Sequence, residues 1–465
     1  MSFFDPISFN FFLYFIYQQE YNSLGLEKRK EKMVATLIIS LITCIVLIVS
    51  ILTFPKIKMF NKEINTYWIV CLIGAIFILL FKGVSVKESM LGLFENSSIN
   101  PIKILILFFS MTFLSIFLDE VRFFKFIASI LTNRCKTNQT SLFFALYALV
   151  SILTIFTSND IVILTFTPFI CYFTKNTKID PIPYLVAEFA AANTWSMMLI
   201  IGNPTNIYLA TSANINFIEY FKVMFLPTLI AGLTQLLLMY LIFKNKLKQP
   251  MQIEESHIKV KSKLDLVFGL GHLLICIVFL VVSSYLNNSM WIICILCATS
   301  LFISIASSHI IRHKSFKSLK RTFLRLPYDL IPFILSMFII VLALQKQGIT
   351  DYIYSFLGNN SIILKYGFSS FAMSNLINNI PMSVLFSKVI NFTDPLSLNQ
   401  AIYSTIIGSN IGAFLTPIGA LAGIMFTDLV RRQEVKYSFV SFIKYGLIIA
   451  IPTLLVALLL LFITL

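Results

Sequence analysis

Between residues 140 and 214 the chain passes through two apolar segments, 140–175 and 183–214, each interrupted near its middle by polar residues. The first carries Thr157, Ser158, Asn159 and Asp160. The second carries Asn193 and Thr194, then Gly202, Asn203, Pro204, Thr205 and Asn206. A helix crosses the hydrocarbon of a bilayer in about 20 residues, so a straight helix as long as either segment overshoots it. A re-entrant hairpin with its polar tip at mid-depth does not. An unpaired backbone group in hydrocarbon costs several kcal/mol, and broken helices persist only where protein or a water-filled cavity surrounds the break. Thr157–Asn206 is therefore a candidate binding site.

Composition sets the class. Of 465 residues, 58% are hydrophobic and 12% charged, with a mean hydropathy of +0.86, which excludes an ordinary soluble domain. The expected fold is an all-α polytopic membrane protein. Residues 1–33 form an N-terminal piece in which Met1–Tyr21, apolar for about fifteen residues, suits a short span or an interfacial helix. That stretch lacks the basic start and small-residue cleavage site of a signal peptide. Spans are expected at 34–54, 67–82, 104–119, 223–243, 264–285, 290–307, 328–346 and 439–463. A basic amphipathic piece runs from Arg122 to Leu131, and a short piece ends near Gly358.

The order of events repeats. After a cytoplasmic linker at 244–263, a second interrupted segment (361–391) carries Asn375, Asn378, Asn379 and Pro381. A second broken segment (398–428) carries Gly408, Ser409, Asn410, Gly412, Thr416 and Gly419. Asn193 precedes Gly202 by nine residues, and Asn410 precedes Gly419 by nine; Asn159 lies 34 before Asn193, and Asn379 lies 31 before Asn410. The chain thus divides into repeats at 34–243 and 264–465. Five crossings in each half force the second repeat to enter the membrane inverted. Lys and Arg bias then assigns 24 basic residues to one face and 11 to the other, and the richer face is expected to be cytoplasmic. The net charge of +15 follows from these short loops, and no basic run interleaved with aromatics suggests nucleic acid.

Inverted repeats with hairpins and broken helices build midplane sites in secondary transporters. Half-helix N-termini offer N–H groups to an anion, and unwound carbonyls offer oxygens to a cation. The candidate substrate and ion ligands are Thr157, Ser158, Asn159, Asp160, Asn193, Thr194, Gly202 and Asn203 from the first half. From the second come Asn378, Asn379, Pro381, Ser409, Asn410, Thr416 and Gly419. Singly, such residues also serve as glue between helices; the symmetric set points to a site. Asp160 has Ile380 as its counterpart, so the halves differ there. Asp160 and Glu188 are intramembrane carboxylates, costly enough to suggest proton coupling, and a sodium ion is a candidate near Asn159, Asp160 and Asn203.

Other chemistries lack their residues. Cys294 and Cys297 share a helix face, but no second Cys or His pair completes a metal site. His257, His309 and His313 fall in polar loops, His272 stands alone, and no glycine-rich loop for ATP occurs. Neither a catalytic residue nor a cofactor beyond a coupling proton or sodium is expected.

Three motifs carry a resemblance. They are Ser158-Asn159-Asp160 continuing to Pro168, Glu188 to Asn193 with Ile201-Gly202-Asn203-Pro204-Thr205-Asn206, and Gly408-Ser409-Asn410 with Thr416-Pro417-Ile418-Gly419. With Asn378-Asn379-Ile380-Pro381 as a second hairpin, the chain resembles the Ion Transporter superfamily. The match is to its arsenical-pump, citrate-transporter and divalent-anion symporter branch. The resemblance implies an elevator-type transporter, often a homodimer, whose hairpins and broken helices slide against a scaffold of earlier spans. Sodium-coupled dicarboxylate members carry Ser-Asn-Thr at both tips; the departures at Asp160 and Ile380 shift the expectation towards arsenical-pump-like members. The function expected is gradient-driven transport of a small anion or oxyacid across the cell membrane, the alternatives being a sodium/proton antiporter or a gated channel.

Overall fold

The computed structural model describes residues 24–59, 62–94, 100–135, 138–251, 258–286, 289–394 and 397–465. The expectation for Met1–Tyr21 lies outside them. The first described third comprises α1 (Leu24–Thr53), a short antiparallel ribbon β1 (Lys56–Met59) and β2 (Lys62–Asn65), α2 (Thr66–Leu80), α3 (Val86–Phe94), α4 (Pro101–Glu120) and α5 (Phe123–Arg134). Then come α6 (Gln139–Phe156), α7 (Asn159–Thr177), α8 (Ile182–Trp195), a 3-10 turn at Ile200–Gly202, α9 (Pro204–Ser212) and α10 (Phe217–Phe243). Beyond the linker lie α11 (Lys263–Leu286), α12 (Met290–Ile311), α13 (Lys317–Leu324), α14 (Leu330–Lys346) and α15 (Ile349–Leu357). The last elements are α16 (Ile362–Ile377), α17 (Asn379–Ile390), α18 (Leu398–Gly412), α19 (Leu421–Arg432) and α20 (Phe439–Thr464).

Local chemistry fixes the ends of these helices. Asn100 Oδ1 accepts from the N–H groups of Ile102 and Lys103 at 2.9 and 3.0 Å, with Pro101 at the first helical position of α4, where its missing N–H costs nothing. Asn216 caps α10 through Glu219 N at 2.8 Å. Among the described residues, seven helices are long and apolar enough to cross a membrane: α1, α4, α6, α10, α11, α12 and α20. An eighth crossing is counted if α14 and α15, bent by 79°, form one span. The fold class is thus helical and polytopic as expected. The β1–β2 ribbon, with Ile57 opposite Ile64, is an addition that the β-branched residues of so short a run did not announce.

Two packing groups emerge. The spans α1, α2, α4, α11, α12 and α14 pack on one another, with α14 against α2 and α12 against α4. The interrupted segments gather with α10 and α20: α6 lies along α8, α16 along α18, and α10 along α20. Each hairpin reaches into the other half of the chain. The arm α7 packs on α19, and α17 packs on α9, so the polar breaks of both halves meet in one buried region.

Candidate binding site

All four interruptions fall where polar residues break the apolar runs. At the first, α6 ends on Phe156 and α7 starts at Asn159. Thr157 Oγ1 donates to Leu153 O at 2.7 Å, which turns that hydroxyl back on its own helix. Asn159 Oδ1 accepts from Asp160 N at 2.9 Å, and its Nδ2 donates to Asn193 Oδ1 at 3.2 Å. Asn193 Nδ2 in turn donates to Phe189 O at 2.8 Å. The hairpin tip is thereby fastened to α8. Ser158 Oγ is buried with no partner.

Behind the break in α8, Gly202 is backbone-to-backbone with the preceding turn: a Cβ there would lie 2.2 Å from Ser196 O. The same carbonyl accepts from Asn206 Nδ2 at 2.8 Å. Thr194 Oγ1 accepts from Gln235 Nε2 at 2.8 Å. Tyr147 OH accepts from Trp195 Nε1 at 3.0 Å and lies within donating distance of Gly232 O and Gln235 Oε1. Thr194 is thus held by a network reaching α10 and α6.

The second hairpin turns on Asn378, whose backbone sits at φ +72°, ψ 151°, a region that side-chain-bearing residues occupy at a cost of about 1–3 kcal/mol. Its side chain compensates, accepting from Ile380 N at 3.3 Å and donating to Ile418 O at 2.9 Å. Asn379 N donates to Gly419 O at 3.0 Å. Asn375 spans the other side of the break: Nδ2 donates to Gly412 O at 2.9 Å, and Oδ1 accepts from Thr416 N and Oγ1 at 3.1 and 2.7 Å. Pro381 falls in the first turn of α17, where its absent N–H breaks no intrahelical bond. Asn379 Oδ1 is buried and unpartnered.

Asn410 joins the halves. Its Oδ1 accepts from Ser196 Oγ at 3.0 Å and Asn203 Nδ2 at 2.9 Å, and its Nδ2 donates to Asn206 Oδ1 at 2.7 Å and Ile406 O at 2.8 Å. Four bonds saturate the carboxamide. The adjacent Ser409 Oγ, fully buried, has no partner, and neither has Thr205 Oγ1. Free hydrogen-bonding capacity therefore sits on Ser158, Thr205, Asn379 and Ser409, while Asn193, Asn203 and Asn410 are committed to the protein.

The two acids differ in surroundings. Glu188 is fully buried; Thr167 Oγ1 lies 2.9 and 3.0 Å from its two oxygens. No cation among the described residues is within ion-pair distance of it. Asp160 is half-buried and faces a cavity of ≈ 400 Å³ between the first hairpin and α4, where Tyr67, Thr112, Arg325 and Asp329 also line the wall. Asp329 Oδ2 accepts from Asn65 Nδ2 at 2.6 Å. Arg325 is clamped by Asp119 and Glu120, each at 2.7 Å.

A family model described as Citrate transporter matches residues 59–407 of the chain. The chain belongs to the citrate transporter family. Beside that match, the arsenical pump membrane protein of Escherichia coli K12 is 25% identical over 370 residues, covering 76% of this chain and 84% of the relative. The putative arsenical pump membrane protein of Bacillus subtilis is 24% identical over 367 residues, covering 72% and 81%. The solved structure of the Alcanivorax borkumensis YdaH transporter superposes with a TM-score of 0.53 at 11% identity, over 92% of this chain and 98% of that one. That likeness concerns the fold. This citrate transporter family member is accordingly a membrane transporter, in the company of proteins named as pumps and transporters.

Within this family member, the residues anticipated from sequence fall at the breaks, yet not all do the same work. Thr157 bonds locally, Thr416 is held by Asn375 across the break, Thr194 is held by Gln235, and Gly202 and Gly419 permit close backbone approach; a Cβ on Gly419 would lie 2.9 Å from Gly412 O. Asn159 contacts Asn193 and Asn203 contacts Asn410, with no hydrogen bond joining Asn203 to Asp160 among the described residues. Ser196, Asn206 and Asn375 lie in the interrupted segments but, like Gln235, were not among the expected ligands. Gln235 carried a signal, a lone amide in an apolar 27-residue helix; so did Asn375, three residues before Asn378.

Proposed function

We propose that this transporter is a secondary active carrier of a small anion or oxyacid, arsenite-like or carboxylate-like, driven by a proton or sodium gradient. The observation that carries this is the set of unpartnered buried oxygens on Ser158, Asn379 and Ser409 at the tips and breaks of both halves. No Lys or Arg is bonded to them among the described residues. Buried polar atoms without partners are rare in folded proteins, and these three are on neutral groups near half-helix ends. Such a set favours a neutral oxyacid, or an anion met by N–H groups and helix dipoles. Asp160, facing the cavity, is the proposed coupling residue, and Glu188 a second proton site.

The same reading takes the halves as inverted repeats and the two packing groups as a scaffold and a moving body of an elevator. It takes the protein as a homodimer in the cell membrane with its basic loops cytoplasmic. A sodium/proton antiporter is the second reading, favoured by the two carboxylates, Asp160 and Asp329, that line one cavity. Purified protein in liposomes separates the two. Saturable uptake or efflux of arsenite or citrate that follows an imposed pH or sodium gradient, and is abolished by Asp160→Asn, is the expected result. Sodium-for-proton exchange with no anion movement would sink the primary reading in favour of the antiporter, and single-channel conductance would sink both. Retained gradient dependence in Asp160→Asn would remove Asp160 from coupling.

A further inference from the structure

Away from the breaks, three segments distant in sequence meet around a second polar cavity of ≈ 480 Å³. Arg122 comes from the α4–α5 corner, Lys261 from the end of the linker, and Lys314, Lys317 and Arg321 from the α12–α13 connection and α13. The linker is pinned here: Lys261 N donates to Val121 O at 3.1 Å, and Lys261 Nζ donates to Glu120 O at 2.6 Å. Two carboxylates share the wall. Glu120 is already engaged by Arg325 at 2.7 Å and Lys261 at 3.6 Å. Asp265 contacts His309 at 3.1 Å, and both are more than nine-tenths buried. Arg122, Lys314, Lys317 and Arg321 have no carboxylate partner among the described residues, so the lining carries uncompensated positive charge.

The pocket also holds unsatisfied polar atoms. His309 Nδ1 and Ser318 Oγ are buried with no hydrogen-bond partner, and both residues line the cavity. Ile310 and Ile311, which follow His309, are 63% and 78% exposed, and Phe316 and Leu324 are also exposed. The segment α13 exposes Lys317, Lys320 and Arg321 beside the exposed apolar Phe323 and Leu324, as does a helix lying in a membrane interface.

We propose that this pocket holds the phosphate headgroup of an anionic phospholipid, with its acyl chains leaving over Ile310 and Ile311. Four cations without a carboxylate partner match a phosphodiester's charge and acceptor oxygens. The exposed apolar side chains of Ile310, Ile311, Phe316 and Leu324, adjoining the lining in sequence, favour a lipid over a soluble anion. A bound headgroup would tie the linker, the α4–α5 corner and α13 together, which makes it a stabilising ligand of the full chain and independent of the transported substrate.

The test is a melting titration of purified protein in detergent with phosphatidylglycerol, phosphatidylcholine and inorganic phosphate in separate arms. Phosphatidylglycerol is expected to raise the melting temperature saturably, and the other two are not. In the triple variant Arg122→Gln, Lys314→Gln, Arg321→Gln the apparent affinity for phosphatidylglycerol should fall roughly a hundredfold, with lipid-free melting unchanged. A control triple elsewhere, Lys58→Gln, Lys175→Gln, Lys436→Gln, should keep it. If the pocket triple does not fold, the single Lys314→Gln and Arg321→Gln variants should each weaken the response by several-fold. An equal response in pocket and control variants overturns the proposal, as does equal stabilisation by phosphatidylcholine. Stabilisation by phosphate matching that of the lipid overturns it in favour of a soluble anion.

Discussion

Asn410→Ala and Ser409→Ala are neighbouring truncations with opposite expected effects. Asn410→Ala deletes a carboxamide holding four buried hydrogen bonds. Ser196 Oγ retains Asn193 O at 2.8 Å, but Asn203 Nδ2 and Asn206 Oδ1 lose the partners that Asn410 supplied. At about 1–3 kcal/mol for each buried polar group left unpaired, the loss is about 2–6 kcal/mol. For a chain of 465 residues with an unfolding entropy near ~2.1 cal/mol/K per residue, that lowers the melting temperature by about 2–6 °C. Asn410→Asp should fare no better, since a carboxylate oxygen would replace the donor that faces Asn206 Oδ1 and Ile406 O. Ser409→Ala removes a hydroxyl that bonds to nothing, so melting should hold within about 1 °C, since no buried partner is stranded. If Ser409 meets the substrate, the lost bond raises KM by about tenfold or more. Tryptophan-fluorescence melting in detergent and initial-rate uptake in liposomes read the two effects. An Asn410→Ala protein that melts with wild type, or a Ser409→Ala protein that melts early and transports normally, would refute the division between fastening and binding residues.

Gly408→Ala should sharply reduce the yield of folded protein. A Cβ at that position would lie 2.1 Å from both Gly367 O and Ser370 Oγ, and backbone displacement by over-packing costs about 1–3 kcal/mol or more; size-exclusion yield measures it. Arg325→Gln should destabilise the chain by about 2–3 kcal/mol, less than a fully buried pair because Arg325 is itself a third exposed. It strips the guanidinium from Asp119 and leaves Glu120 with Lys261 at 3.6 Å, the two acids being 7% and 8% exposed; Arg325→Lys should recover part of the loss in the same melting assay. The Lys346 ammonium, with help from Ser85, draws the exposed Glu88 carboxyl down to about 2 from an ordinary 4.5. A depressed carboxylate contributes its stabilisation above the ordinary value and loses it as pH falls through the folded one. The melting difference between wild type and Glu88→Gln should therefore be constant above pH 4.5 and fade between 4.5 and about 2; a difference unchanged at pH 2 would contradict the pairing.

The breaks were legible because their penalty is local. Amides, glycines and prolines at Thr157–Asp160, Gly202–Asn206 and Asn378–Pro381 cannot continue a lipid-facing helix, and the interruptions fall there. The nine-residue echo from Asn193 to Gly202 and from Asn410 to Gly419 falls on α8 and α18, and each of these helices ends before the glycine. Less legible was which amide fastens and which is free, because that depends on partners about 200 residues away, such as Asn203 with Asn410. Chain order does not encode that pairing. The basic pocket was invisible for a similar reason: Arg122, Lys261 and Lys314 read as three ordinary loop charges until the fold brought them to one wall. The β1–β2 ribbon escaped notice because two four-residue strands are too short for alternation to stand out.

The way the hairpins cross into opposite halves bears on how the protein is made. Ser196 and Asn203 leave the ribosome more than 200 residues ahead of Asn410, and α7 and α9 are complete before either of their partners, α19 and α17, exists. The first half therefore enters the bilayer with its central amides lacking their final hydrogen-bond partners. Water or makeshift contacts must satisfy those groups until the second half arrives. Closure of the core is thus a late event in biogenesis, and two fragments cut within the linker should be stable only when produced together.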